Sequence, residues 1–295
     1  MLNTTTNFRT IRFGSGSTIL KARDTAITLD QVAANAPAVM AEGAHSSRSD
    51  RYEFLNTRSV LQGLIDNGFG LFEVRQGGSR IEGKREFTKH MLRLRYMGEG
   101  GNAALIGRTG SVIPEVIITN AHDGTASWQI GAGMFRIICT NGLVAGKMFD
   151  YARIGHTKNA PEKVIDASYR VIEQFPMMID NAREMSGLQL SGPEQLAFAR
   201  AAQSLRWDDD AAPVAPPALL EPRRHQDRLA DLWTTMNVVQ ENVVRGGLRY
   251  VNENAETGRR MRRTTGEVRG IDENKRLNRA IWTLAEEMRS LKQAA

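Results

Sequence analysis

Apolar positions recur with a helical period early in the chain, switch to alternation near Phe69, and return to the helical period near Pro161. In the first 24 residues, which are polar and rich in Thr, Ser and Gly, only FRTIRF reads as a short strand, so this segment is expected to form an arm or an edge element. Thr28-Leu29-Asp30-Gln31 has the form of a capping box and predicts a helix that Pro37 ends or kinks. After a polar loop over residues 44–50, Thr57 is placed to cap a second helix. Val60, Leu61, Leu64 and Ile65 share one face of it, and Asn67-Gly68 supplies the stop.

From Phe69 to about His156 the period is two, and strands are predicted at Phe69–Arg75, Arg85–Met97, Val112–Asn120 and Trp128–Thr140. Pro161 suits a first helical position, and Val164, Ser168, Val171, Phe175, Met178 and Ala182 follow at three- and four-residue spacing to Gly187. Further helices are predicted from Pro193 towards Trp207, around Gln226 to Val244, and over Asp272 to Leu291. Strands followed by helices give an α+β class, a central antiparallel sheet with flanking helices and a helical C-terminal part. The acidic, then Ala/Pro-rich run from Asp208 to Pro217 reads as a linker. The expected organisation is an N-terminal arm and helix over 1–50, an α+β core over 51–207, a linker over 208–222 and a helical, basic region over 223–295.

With 295 residues the chain buries a core without staples, and its single cysteine forms no internal bridge. No run approaches the roughly 18 apolar residues of a membrane span, and no apolar N-terminal segment precedes a cleavage-like site, which points to a cytoplasmic protein with no membrane partner. Five scattered histidines without HxH, HExxH or CxxC spacing give no metal site. No P-loop, GxSxG or dinucleotide fingerprint falls where a strand would deliver it to a helix, so no cofactor and no catalytic residue is assigned. Cys139 follows Ile137 and Ile138 on an apolar run; it fits a buried core thiol better than a nucleophile, for which His122 or His156 would have to approach it across a sheet. Asp123-Gly124 and Asn141-Gly142 read as structural turns at strand ends.

The net charge of +6 becomes informative through its distribution. In the strand REFTKHMLRLRYM, alternation sends Lys89, Met91, Arg93 and Arg95 to one face, with cations about 7 Å apart, close to the spacing of successive phosphates. A second cluster, Arg259, Arg260, Arg262 and Arg263, lies in the last third of the chain. Both clusters are expected to contact phosphates of a nucleic acid, because arginine presents a planar fork of donors.

The set NAHDGTASW, GMFRIICTNGLVAG, RIGHTKN, LWTTMNVV and ENKRLNRAIWTLAEE resembles the phage/plasmid-like proteins that carry the domain of unknown function 932. The likeness runs from about Tyr52 to the C-terminus, and FRIICTNGL is its most specific part. The resemblance implies a mobile-element setting, in prophages and plasmids. The layout of helix, antiparallel sheet with a basic strand, then helices is also similar to ring-forming single-strand annealing proteins. The expected function is therefore non-enzymatic binding of single-stranded DNA along a basic sheet face, promoting strand annealing or recombination, with self-association admitted. The alternative is an anti-defence interaction protein that inhibits a host nuclease or restriction complex by binding a host or phage protein.

Overall fold

The computed structural model describes residues 8–14, 16–49, 52–98, 112–136, 141–144, 152–156, 159–208, 211–253 and 258–294. The described residues divide into two compact units, the first ending at Pro176 and the second beginning at Met177.

The first unit is built on an antiparallel meander in which β1 (Phe8–Arg12), β2 (Thr18–Ala22), β3 (Phe69–Gln76), β4 (His90–Tyr96), β5 (Val112–Asn120), β6 (Trp128–Arg136) and β7 (Asn141–Val144) follow in order. A short β8 (Ala152–Ile154) lies opposite Trp128–Ile130, and β7 lies opposite Gly133–Arg136, so both use the same edge of β6. The α+β class is as expected, and β5 has the bounds that alternation predicts. Arg85–Met97 is shortened, because Arg85–Phe87 form a 3₁₀ turn before β4. Of the two expectations for the N-terminal segment, the described residues form the edge element and not a separate arm: β1 pairs with β2 at the edge of the sheet and β2 with β3, within the first unit.

Register places Leu71, Val74, Leu92, Leu94, Val116, Ile118 and Ile130 on one face of the sheet, all buried. Each such side chain contributes roughly 1.5–3 kcal/mol on burial. The helices α1 (Leu29–Asn35), α2 (Thr57–Asp66) and α3 (Ala160–Glu173) belong to the same unit. Thr57 of α2 bonds to His90 on this face, and Tyr169 of α3 packs edge-on against Phe69 at 5.7 Å. The capping box of α1 forms as the sequence reads. The cap of α2 is not Thr57: Asn56 caps the helix by accepting from Ser59 N, and the Thr57 side chain is buried.

The second unit holds α4 (Phe175–Gly187, which starts at the boundary), α5 (Gly192–Ser204), α6 (Leu232–Arg245), α7 (Ile271–Ala294) and a two-stranded ribbon of β9 (Arg249–Glu253) and β10 (Arg260–Thr264). Helix α6 is buried from Leu232 to Val244. The described part of the expected linker over 208–222 is a packed segment. Val214 and Leu219 are buried, Gln203 donates to Val214 O, and Asn242 Nδ2 donates to Leu219 O and Glu221 O. Its proline-rich composition serves a tight 3₁₀ turn, Pro216–Leu220, anchored by polar side chains of α5 and α6. Among the described residues no helix is long and apolar enough to cross a membrane.

Helix α6 ends at Gly246 with φ 67° and ψ −148°, a conformation open essentially only to glycine. A Cβ there would lie 2.2 Å from Gly266 O and 2.6 Å from Thr265 O. Gly247 N donates to Thr265 O and Thr265 N to Leu248 O, which ties the chain leaving α6 to the chain returning from β10. Gly246→Ala is therefore expected to lower stability by about 2 kcal/mol or more and to loosen the ribbon. A thermal midpoint equal to wild type would contradict this close approach.

Candidate nucleic-acid interface

The face of the sheet opposite the helices carries charge, but the charge is buried. Arg93 and Arg95 are each 2% exposed. Their Nε atoms donate to the two oxygens of Glu115, at 2.5 and 3.0 Å, and Arg95 Nη1 donates to Arg23 O. The guanidinium of Arg95 also lies 3.9 Å from the centre of the Phe72 ring. Beside them Glu73 takes Arg75 at 2.5 Å and Lys21 at 3.8 Å. Burial raises the Glu73 carboxyl, but Lys21, Arg75 and Arg93 more than offset it and hold the group at about 2. Lys89 precedes β4 and is half-buried. The expected phosphate track of Lys89, Arg93 and Arg95 is corrected accordingly: alternation groups these residues correctly, but the face is closed and carboxylates from β3 and β5 neutralise it.

The other arginine cluster is exposed. Arg260, Arg262 and Arg263 lie on β10, Arg259 directly before it, and Arg249 on β9; all five are exposed. Register pairs Arg260 with Glu253, Arg262 with Val251, Arg263 with Tyr250 and Thr264 with Arg249. One face therefore holds Arg249, Val251, Glu253, Arg260, Arg262 and Thr264, every one exposed, and the other holds Tyr250 and Met261, half-buried, with Asn252 and Arg263. Arg260 sits 3.6 Å from Glu253. Among the described residues no carboxylate pairs with Arg249, Arg262 or Arg263. A groove of about 770 Å³ is lined by Arg249, Tyr250, Val251, Arg262, Arg263 and Thr264.

A second polar assembly gathers at one end of the sheet. Thr57 Oγ1 lies 2.9 Å from both His90 Nε2 and His122 Nε2, and Asn120 Nδ2 donates to it at 3.1 Å. His90 Nδ1 must donate to Thr88 O at 3.0 Å, since a carbonyl only accepts, so His90 Nε2 accepts the one Thr57 hydroxyl proton. His122 then donates from Nε2, which leaves its Nδ1 as an acceptor, and neither that atom nor Asn120 Oδ1 has a partner among the described residues. Tyr52 donates to Ala121 O and stacks on His156 at 4.6 Å. Burial lowers His90 to about 4 and, with His90 and His156 adding, His122 to about 3; burial also lowers His156 and raises Tyr52 to about 12. These imidazoles are neutral hydrogen-bonding groups, and among the described residues no cluster of His, Cys, Asp and Glu could hold a metal ion.

Asp123 and Gly124 lie between β5 and β6. Asp123 Oδ1 accepts from Thr125 N and Oγ1, Asp123 Oδ2 pairs with Lys84 at 3.4 Å, and Gly124 has φ 77°. Asn141 and Gly142 are not a turn: they open β7, opposite Arg136 and Phe135, and the strand expected through Thr140 is described as far as Arg136, its last four residues lying outside the described ones. Cys139 lies outside the described residues.

With both assemblies placed, the chain can be set beside known proteins. Residues 44–282 match the family described as Domain of unknown function (DUF932). The chain belongs to the DUF932 family. It is similar to two proteins of Escherichia coli (strain K12), the UPF0380 proteins YafZ and YfjQ, each 41% identical over 275 residues, covering 93% of this chain and 95% of the relative. No solved structure matches. The DUF932 span takes in both the histidine assembly and the β9–β10 ribbon, and leaves β1, β2 and α1 outside it.

Proposed function

We propose that this DUF932 chain is a non-enzymatic nucleic-acid-binding protein whose contact surface is the β9–β10 ribbon. The observation that carries the reading is the contrast between two sets of arginines. Arg93 and Arg95 share Glu115 inside the first unit, whereas Arg249, Arg262 and Arg263 stand on an exposed ribbon with no carboxylate pairing among the described residues. Exposed, unneutralised guanidiniums at strand spacing suit phosphates, and their binding releases condensed counterions. Annealing along the central sheet, which the sequence suggested, loses its support with the burial of Arg93 and Arg95.

The test is retention of oligonucleotides by the full chain at two salt concentrations. Log affinity should fall linearly with log salt, and Arg262→Ala with Arg263→Ala should weaken binding and reduce the slope by about 0.7–0.9 per lost contact. Fold should survive, because exposed charges contribute little to stability. A wild-type protein that ignores every oligonucleotide at low salt would sink the reading in favour of a protein-binding role.

A further inference from the structure

We propose that the ribbon enters the major groove of duplex DNA with the face of Arg249, Val251, Arg262 and Thr264 towards the base edges. The inference rests on the nucleic-acid reading above and adds which nucleic acid is bound and how. Three features lead to it.

The first is shape. Among the described residues β9 and β10 pair only with each other, so the ribbon is two strands wide, about 5 Å between strand axes before side chains. The major groove, about 12 Å across, admits such a ribbon, whereas the minor groove, about 6 Å across, does not. A five-residue strand spans roughly 13 Å, or about four base pairs at about 3.4 Å each.

The second is the sidedness of the ribbon. All six residues of one face are exposed, while Tyr250 and Met261 on the other are half-buried. The open face is the one available to a groove.

The third is its chemistry. Arg262 and Arg249 present forks that match guanine O6 and N7, and the methyl groups of Val251 and Thr264 match the thymine methyl, contacts found only in the major groove. Arg263, on the opposite face, remains for a flanking phosphate. A single-strand site, in contrast, needs a succession of aromatic platforms, and the only aromatic side chain on these strands is Tyr250, on the half-covered face.

The experiment uses the full chain, a mixed-sequence duplex of about 20 base pairs and its two separated strands. Methylation interference is then read at guanine N7, in the major groove, and at adenine N3, in the minor groove. The duplex should bind at least about tenfold more tightly than either strand. N7 methylation should interfere and N3 methylation should not. Equal or tighter binding of the single strands, interference at N3, or no interference at N7 overturns the groove assignment. If binding in those cases still falls with Arg262→Ala and Arg263→Ala, the nucleic-acid reading stands and only this inference fails. If neither duplex nor strands are retained at low salt, both fail.

Discussion

Replacing Glu115 with alanine is expected to destabilise the protein by about 3–5 kcal/mol, the range for removing one partner from a buried ion pair. Glu115 is 1% exposed, and its two oxygens take the Nε atoms of Arg93 and Arg95 from the adjacent strand. Pairing these charges offsets a desolvation cost already incurred by all three groups. Deleting the carboxylate keeps that cost for two guanidiniums and removes the anion they share. Glu115→Gln, which keeps one acceptor oxygen and loses the charge, should fall between alanine and wild type. Urea midpoints at constant m-value decide the matter. A shift below about 1 kcal/mol for Glu115→Ala would mean that this face is hydrated and that the strand is open to phosphate after all.

The same three residues show where the sequence was legible and where it was not. Alternation in REFTKHMLRLRYM correctly groups Lys89, Arg93 and Arg95 on one side, because period two is a property of the backbone. It does not say what covers that side, and Glu115 lies about twenty residues further on, in a strand whose pairing only the fold supplies. The apolar face was readable for the opposite reason: Leu92, Leu94, Val116 and Ile118 carry their burial in their own chemistry. The ribbon was legible as a cluster of arginines and illegible as strands. RYVNE and RMRRT are exposed on both faces for much of their length, so no apolar partner imposes an alternating pattern.

The histidine assembly left a signal that local motif searches do not use. His90 begins β4, His122 follows the end of β5, and His156 follows the end of β8. In an antiparallel meander the start of one strand lies beside the end of the next, so histidines at alternating boundaries converge although they are over thirty residues apart. The sequence position of Thr57 allows it to cap α2. Its neighbour Asn56 takes that role and frees the Thr57 hydroxyl for the two imidazoles.

That assembly should also make the protein acid-sensitive in a window above the carboxylate range. Both His90 and His122 are fully buried, and burial lowers them from 6.5 to about 4 and about 3. Because the folded pKa values lie below the unfolded one, both states are neutral above about pH 6.5 and the folded state loses nothing there. Between about pH 6.5 and 4 the unfolded chain takes up protons that the folded chain refuses, so stability falls with pH. The decline attributable to these groups ends once the folded histidines titrate as well. Asp123, held by Thr125 and Lys84, favours protonation of His90 and His122 without restoring their ordinary values. Integrated from pH 6.5 to 5, each histidine is expected to remove about 1.5 kcal/mol. The two share Thr57, so their sum is an upper bound. Urea midpoints at pH 7, 6 and 5 test this, with His90→Gln as the comparison, since that change deletes one titrating group and relieves its neighbour. Glu73, at about 2, and the lowered Asp123 and Glu241 add their own losses only once the pH falls into the ordinary carboxylate range, where the unfolded chain's carboxylates take up protons first, which keeps the upper window for the histidines. A wild-type stability that stays flat from pH 7 to 5 would mean that His90 and His122 are reached by water and that the Thr57 network does not close over them.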